Sequence, residues 1–159
     1  MSRFYIKRIA ALGKGRVPSI ISFEDGVNII YGPSNTGKSY VISCINFMFG
    51  AEDTPFEKKD TGYDTISMTM QSADSGEVVL ERKIVDKKNK EAGSNSVLVT
   101  STVADIESKE YSISKKEYNE LLLRLIGIRE KHKIITSRDY STKNLTFRQM
   151  VHLFLIDED

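Results

Sequence analysis

The sequence predicts a mixed α/β domain, and three observations predict it. An apolar run, Val27 to Tyr31, enters a loop bracketed by glycines that opens onto a segment of helical period. Short segments with strand-like alternation then occupy Tyr63 to Ile113, and a capping box followed by leucines at helical spacing begins at Ser114. Helices on an antiparallel sheet, two or three of them, satisfy all three patterns.

The elements follow in order. Arg3 to Leu12 mixes apolar and basic residues and predicts an edge-like strand, and Val17 to Phe23 predicts a second. Asp25-Gly26 is a turn signal before the apolar run Val27 to Tyr31, which is expected to be a buried strand leading into the glycine loop. After the loop, Val41, Ile42, Ile45, Met48 and Phe49 recur at helical spacing, and Gly50 stands where a left-handed C-terminal cap belongs. Thr54-Pro55-Phe56-Glu57 has the form of a short helical turn with Thr54 as its N-cap.

The period then changes to two. Ile66, Met68 and Met70 alternate with Thr65, Ser67 and Thr69, predicting a half-buried strand; Asp74-Ser75-Gly76 turns the chain and Glu77 to Val85 returns. Lys87 to Ser96 is polar and is expected to be a flexible hairpin loop, with Val97 to Val103 and Lys109 to Ile113 as further strands of an antiparallel meander. Ser114 to Glu117 is the capping box of a helix through Tyr118, Leu121, Leu122 and Leu125, which Gly127 ends. Ile128 to Asn144 is polar and irregular.

Composition narrows the class. A chain of 159 residues, 40% hydrophobic and 28% charged, suits one soluble globular domain, divided here into residues 1–62 (strands, loop and first helix), 63–113 (antiparallel strands) and 114–159 (helical part). The net charge of +1 is unevenly spread: six Lys/Arg against two Asp/Glu in residues 1–50, ten against fifteen in 51–120 and seven against five in 121–159. The loop end is thus mildly basic, which suits a polyanion without being a nucleic-acid signature. A single cysteine, Cys44, excludes an internal disulfide, and neither a secretory leader nor an apolar stretch long enough to cross a bilayer is evident, so a cytoplasmic location is expected.

The loop carries the chemistry. Gly32-Pro33-Ser34-Asn35-Thr36-Gly37-Lys38-Ser39 fits G-x-x-x-x-G-K-[ST] at every fixed position, and Tyr40 follows it. Glycines at both ends let backbone N–H groups converge on phosphate oxygens at a helix N-terminus; Lys38 reaches the terminal phosphates and the Ser39 hydroxyl suits Mg2+. Against a chance match stands the context of apolar run, loop and helix. Other candidates read as structural: Cys44 as a small core residue, His132 as solvated, His152 as structural or surface. Tyr5, Tyr31 and Phe23 could stack on a base, but core aromatics are commoner.

The stretch ISFEDGVNIIYGPSNTGKSYVIS resembles the N-terminal lobe of ABC-type ATPase heads of the SMC, RecN and RecF kind, P-loop NTPases in which an F-x-x-G-x-N-x-I-x-G strand precedes the phosphate loop. Phe23, Gly26, Asn28, Ile30 and Gly32 match that frame, whereas Ser34 and Asn35 replace the usual Asn and Gly. The resemblance covers residues 3 to about 50 well and the rest in layout. It implies ATP and Mg2+ as ligands, phosphate contact for Gly37, Lys38 and Ser39, and completion by a C-terminal lobe, since no L-S-G-G signature occurs in the 159 residues. It further implies a coiled coil, closure with a second head, and work on DNA in repair, chromosome maintenance or phage defence.

The tail is ambiguous. HLFLIDED places four apolar residues, Leu153 to Ile156, before Asp157 and Glu158, which imitates a Walker B strand and would make a small self-sufficient NTPase or kinase. Thr146 and Gln149 form a capping box instead, and Phe147, Met150, Val151, Phe154 and Leu155 follow helical spacing, which favours a helix. The family's Mg2+-sensing glutamine would be Gln149, or its place would be taken by Asp157 and Glu158. A third reading is a module that hydrolyses nothing and binds DNA through Arg3, Lys7, Arg8, Lys14 and Arg16, although a solvated strand face explains these residues more simply.

Overall fold

The computed structural model describes residues 4–34, 37–72, 76–87, 90–135 and 140–154, with the backbone alone for residue 87 and residues 152–154. In chain order the elements are β1 (Phe4–Leu12), β2 (Ser19–Ser22), α1 (Lys38–Met48), α2 (Lys58–Thr61), β3 (Thr65–Ser72), β4 (Gly76–Lys87), β5 (Lys90–Ser101), β6 (Lys109–Ser112), α3 (Lys116–Leu125), β7 (Lys133–Ile135), β8 (Thr142–Asn144) and α4 (Phe147–Phe154). The mixed α/β class is as predicted.

The expected meander and the opening strand pair are one antiparallel sheet in the order β2-β1-β3-β4-β5-β6. Period-two apolar residues build its core face: Met68 lies opposite Ile9 on one side and Leu80 on the other, and Leu80 lies opposite Val99. Cys44, Phe47 and Met48 of α1 and Tyr118, Leu121, Leu122 and Leu125 of α3 belong to the same buried cluster. Each fully buried side chain of this kind contributes about 1.5–3 kcal/mol of transfer free energy.

Several local expectations are corrected. β3 is buried on both faces rather than one, because Ser67 and Thr69 on the second face are small and lie beside longer cross-strand neighbours such as Arg8 and Glu81. Most of the polar stretch Lys87 to Ser96 is strand, since β4 and β5 pair as far as Lys87↔Lys90; residues 88–89 lie outside the described set. Thr54 caps no helix. The short helix α2 starts at Lys58, and the Glu91 carboxylate of β5 accepts hydrogen bonds from the backbone N–H groups of Lys58 and Lys59 there, a cap supplied from 33 residues away.

The Ser114 box does not form either. A tight turn from Ser112 to Lys115 moves the N-cap to Lys115 and turns the Ser114 hydroxyl toward that of Ser112, 3.0 Å away. The leucine spacing still sets the helix, and Gly127 ends it with φ +90° as expected. In α4 the box is half formed. The Gln149 side-chain oxygen accepts from the Thr146 N–H at 2.8 Å, while Asn119 of α3 caps the Phe147 N–H. Within Ile128 to Asn144, read as irregular, β7 and β8 form a two-stranded sheet of their own.

Candidate phosphate-binding site

The site is built around α1, whose first residue is Lys38. Upstream, Asn28 closes a tight turn: its amide donates to the Glu24 carbonyl at 2.8 Å and its side-chain oxygen accepts from the Glu24 N–H at 3.0 Å. The apolar run that follows is not the buried strand expected of it. Val27 is 94% exposed, Ile29 81% and Tyr31 90%, and among the described residues the run has no ladder partner. The run adds no strand to the six-stranded sheet, whose edge next to it in sequence is β2.

At the front of α1, Gly37 is the N-cap in the left-handed region, φ +84°, which its lack of a Cβ permits. No side chain caps the helix there and no acidic residue lies in its first turn, so the N–H groups and the positive end of the helix dipole suit an anion. Lys38 folds back over its own loop: its ammonium donates to the carbonyls of Gly32 (2.9 Å) and Pro33. Gly32, Pro33, Ser34, Ser39 and Tyr40 are exposed; Asn35 and Thr36 lie outside the described residues. Tyr40 meets Phe56 edge to face at 6.4 Å, and Phe56 meets Tyr63 at 6.0 Å.

The back of α1 is closed. Gly50, φ +99°, forms a Schellman turn in which the Ala51 N–H bonds the Asn46 carbonyl and the Gly50 N–H that of Phe47. Arg82 of β4 enters beneath it from a register irregularity between Arg82 and Ile84. Its guanidinium, 2% exposed, donates to the carbonyls of Ser94 (2.9 Å), Phe47 and Ala51 (2.6 Å) and stands 4.2 Å from the centre of the Phe47 ring. Gly93 makes room for it, because a Cβ at that position would lie 2.3 Å from an Arg82 nitrogen. Burial lowers the Arg82 pKa to about 10, so the side chain keeps its charge at neutral pH against the negative end of the helix. Tyr118 of α3 donates to the Met48 carbonyl at 2.6 Å, and Arg148 of α4 to that of Gly50 at 3.0 Å. Burial raises the Tyr118 pKa, which keeps the hydroxyl a donor.

The remaining candidates separate by burial. Cys44 is a buried core residue and burial raises its thiol to about 12, so it is inert, as read from the sequence. Gln149 is exposed and serves as the cap of α4. Leu153 and Phe154, half of the run read as an alternative Walker B strand, lie in α4; Asp157, Glu158 and Arg3 fall outside the described residues. Lys7 pairs with Glu77 at 3.3 Å on the sheet surface. The residues that sequence reasoning missed are Arg82, Tyr118 and Arg148. The one signal for Arg82 was a charged residue in phase with Val78 and Leu80, where an apolar one is the rule.

The profile of a family described as an AAA domain matches residues 5–158. The chain belongs to the AAA-domain family. It is also similar to the chromosome partition protein Smc of Thermoplasma acidophilum, 30% identical over 93 residues, which is 51% of this chain and 8% of that protein. The chain therefore spans a small fraction of the length of that relative. Both matches support the N-terminal lobe of an SMC-like ABC-type ATPase head. No solved structure matches. No helix among the described residues is long and apolar enough to cross a membrane.

Proposed function

We propose that the chain is the ATP-binding N-terminal lobe of an SMC-like ATPase head, which hydrolyses ATP only together with a C-terminal lobe and a second head. The observation that carries this reading is the exposed run Val27 to Tyr31 directly before the phosphate loop. Large apolar side chains left in water at the entrance to a binding loop mark a surface that another polypeptide covers. A missing lobe would cover them and hold the loop from its upstream side.

The donor set suits a nucleotide phosphate: an uncapped helix N-terminus with no acidic residue in its first turn, and a lysine whose present partners are carbonyls it can exchange. Gly37 and the first N–H groups of α1 would bind the phosphates, Lys38 would turn from its loop to neutralise them, and the Ser39 hydroxyl would ligate Mg2+. Bound Mg2+ would supply charge neutralisation across the terminal phosphates. The setting, DNA repair, chromosome maintenance or phage defence, follows the resemblance alone.

The test is ATP binding and turnover by the 159-residue chain with Mg2+, alongside Lys38→Ala and Glu158→Gln. Binding abolished by Lys38→Ala, without turnover until a C-terminal lobe is added, is the expected result. Turnover by the chain alone that both substitutions abolish would show a self-sufficient NTPase and end the half-head reading.

A further inference from the structure

One aromatic ring at the phosphate loop has no part in holding phosphate. Tyr40 follows Ser39 in the first turn of α1, about 3 Å along the helix axis from Lys38. Its N–H bonds the Gly37 carbonyl at 3.1 Å, and its ring lies beside the N-cap, since a Cβ at Gly37 would sit 3.5 Å from the ring carbon Cδ2. Burial does not account for the ring, because the residue is 55% exposed.

Its position is nonetheless fixed from behind. Phe56 meets Tyr40 with the two ring planes at 87°, and Tyr63 braces Phe56 in turn. Phe56 and Tyr63 both pack against the buried core, and the Tyr63 hydroxyl donates to the Val17 carbonyl at 2.9 Å, ahead of β2. The β1–β2 connection closes on this end of the row: a Cβ at Gly13 would strike the Gly62 carbonyl, and one at Gly62 the Arg16 guanidinium. The row Tyr40, Phe56, Tyr63 thus has one end in the core and the other in water beside the loop.

A ring set in one orientation loses little freedom when a flat ligand meets it. Every nucleobase offers such a flat π face, and it is joined through its sugar to the phosphates that a helix N-terminus would hold. We propose that Tyr40 is the platform on which the base of a bound nucleotide stacks, so that the site takes a nucleoside triphosphate in preference to an inorganic polyphosphate. This rests on the reading of the loop as a phosphate site. Gly37, Lys38 and the first N–H groups of α1 hold the charge of the ligand, and Tyr40 senses whether a base is attached. Stacking needs only the π face, so the ring separates nucleotide from bare phosphate without choosing between bases.

The test is calorimetric titration of the 159-residue chain with Mg2+-ATP and with Mg2+-tripolyphosphate, for the wild type, Tyr40→Ala, Tyr40→Phe and Lys38→Ala. Tyr40→Ala is expected to weaken ATP roughly tenfold, as for the loss of one base stack, and to leave tripolyphosphate unchanged. Tyr40→Phe keeps the ring and is expected to bind ATP as the wild type does, whereas Lys38→Ala loses both ligands. The chain has no tryptophan, so Tyr40→Trp provides a reporter whose emission ATP is expected to quench and tripolyphosphate is not. Equal weakening of both ligands in Tyr40→Ala, or weakening of neither, overturns the platform; tripolyphosphate binding that Lys38→Ala abolishes would then leave the phosphate site standing. Weakening of neither, with loss of association with an added C-terminal lobe, would assign the ring to a polypeptide interface and overturn the platform equally. Failure of the wild type to bind either ligand overturns both readings.

Discussion

The two ends of α1 are opposites. At its C-terminus the carbonyls of Phe47, Met48, Gly50 and Ala51 accept hydrogen bonds from side chains of three elements, β4, α3 and α4, and the principal donor is a buried arginine. At its N-terminus there is no side-chain cap, Gly32, Pro33 and Ser34 ahead of it are exposed, and an apolar run lies in water. The same helix is thus anchored at the back and left open at the front. Anchoring removes one helix end from the set of things that move, and an uncapped N-terminus keeps its N–H groups for a ligand. Stability and binding capacity are separated along one helix by about the length of its 11 residues.

Substitutions at the back should therefore cost stability and those at the front should not. Arg82→Ala is expected to have the largest effect, about 3–5 kcal/mol, because it removes the hydrogen bonds that the guanidinium donates to the Ser94, Phe47 and Ala51 carbonyls and leaves a cavity. A fall in the thermal midpoint of roughly 10 °C or more would register it, and an unchanged midpoint would refute the clamp. Tyr118→Phe removes only the hydroxyl bonded to Met48 and is expected to cost about 1–2 kcal/mol by chemical denaturation.

Cys44 gives a smaller effect with a direction set by pH. Its thiol is at about 12 in the folded chain against 9.0 for an ordinary one, so the unfolded state ionises first as pH rises. Its contribution to stability is intact below pH 9 and is lost progressively between 9 and 12, about 1.4 kcal/mol of it by pH 10. Comparing the wild type with Cys44→Ala at pH 8 and pH 10 isolates this slope from those of other groups. At the front, Val27→Ser/Ile29→Ser is expected to change the stability of the chain by less than about 0.5 kcal/mol, since both residues are already in water. The same pair should weaken association with an added C-terminal lobe. A marked loss of stability in the chain alone would mean that the run packs on its own lobe.

Long periodic patterns were legible in the sequence. β1, α1, β3, β4 and α3 were read close to their observed bounds because each buries a face whose period is written in consecutive residues. The glycine loop was legible as a motif because Gly32, Gly37, Lys38 and Ser39 stand at the fixed spacing of G-x-x-x-x-G-K-[ST]. Less legible was whatever depends on a partner far along the chain. Thr54 and Ser114 carry good capping signals that are not used, because Glu91 supplies the cap of α2 and a turn at Ser112 displaces that of α3. The β7–β8 ribbon was hidden because its two isoleucines, Ile134 and Ile135, are adjacent and β8 is polar, so its pairing leaves no apolar alternation to detect.

By itself, then, the sequence determined the class of the fold, the place of the glycine loop and the helix behind it, since these rest on interactions between near neighbours. Only the tertiary structure decided that Val27 to Tyr31 lies outside the sheet and that Arg82 belongs under the helix. An apolar run becomes a strand when a neighbour offers it hydrogen bonds, and a charge is buried when carbonyls converge on it. Both conditions are met, or not met, by residues that the local pattern does not contain.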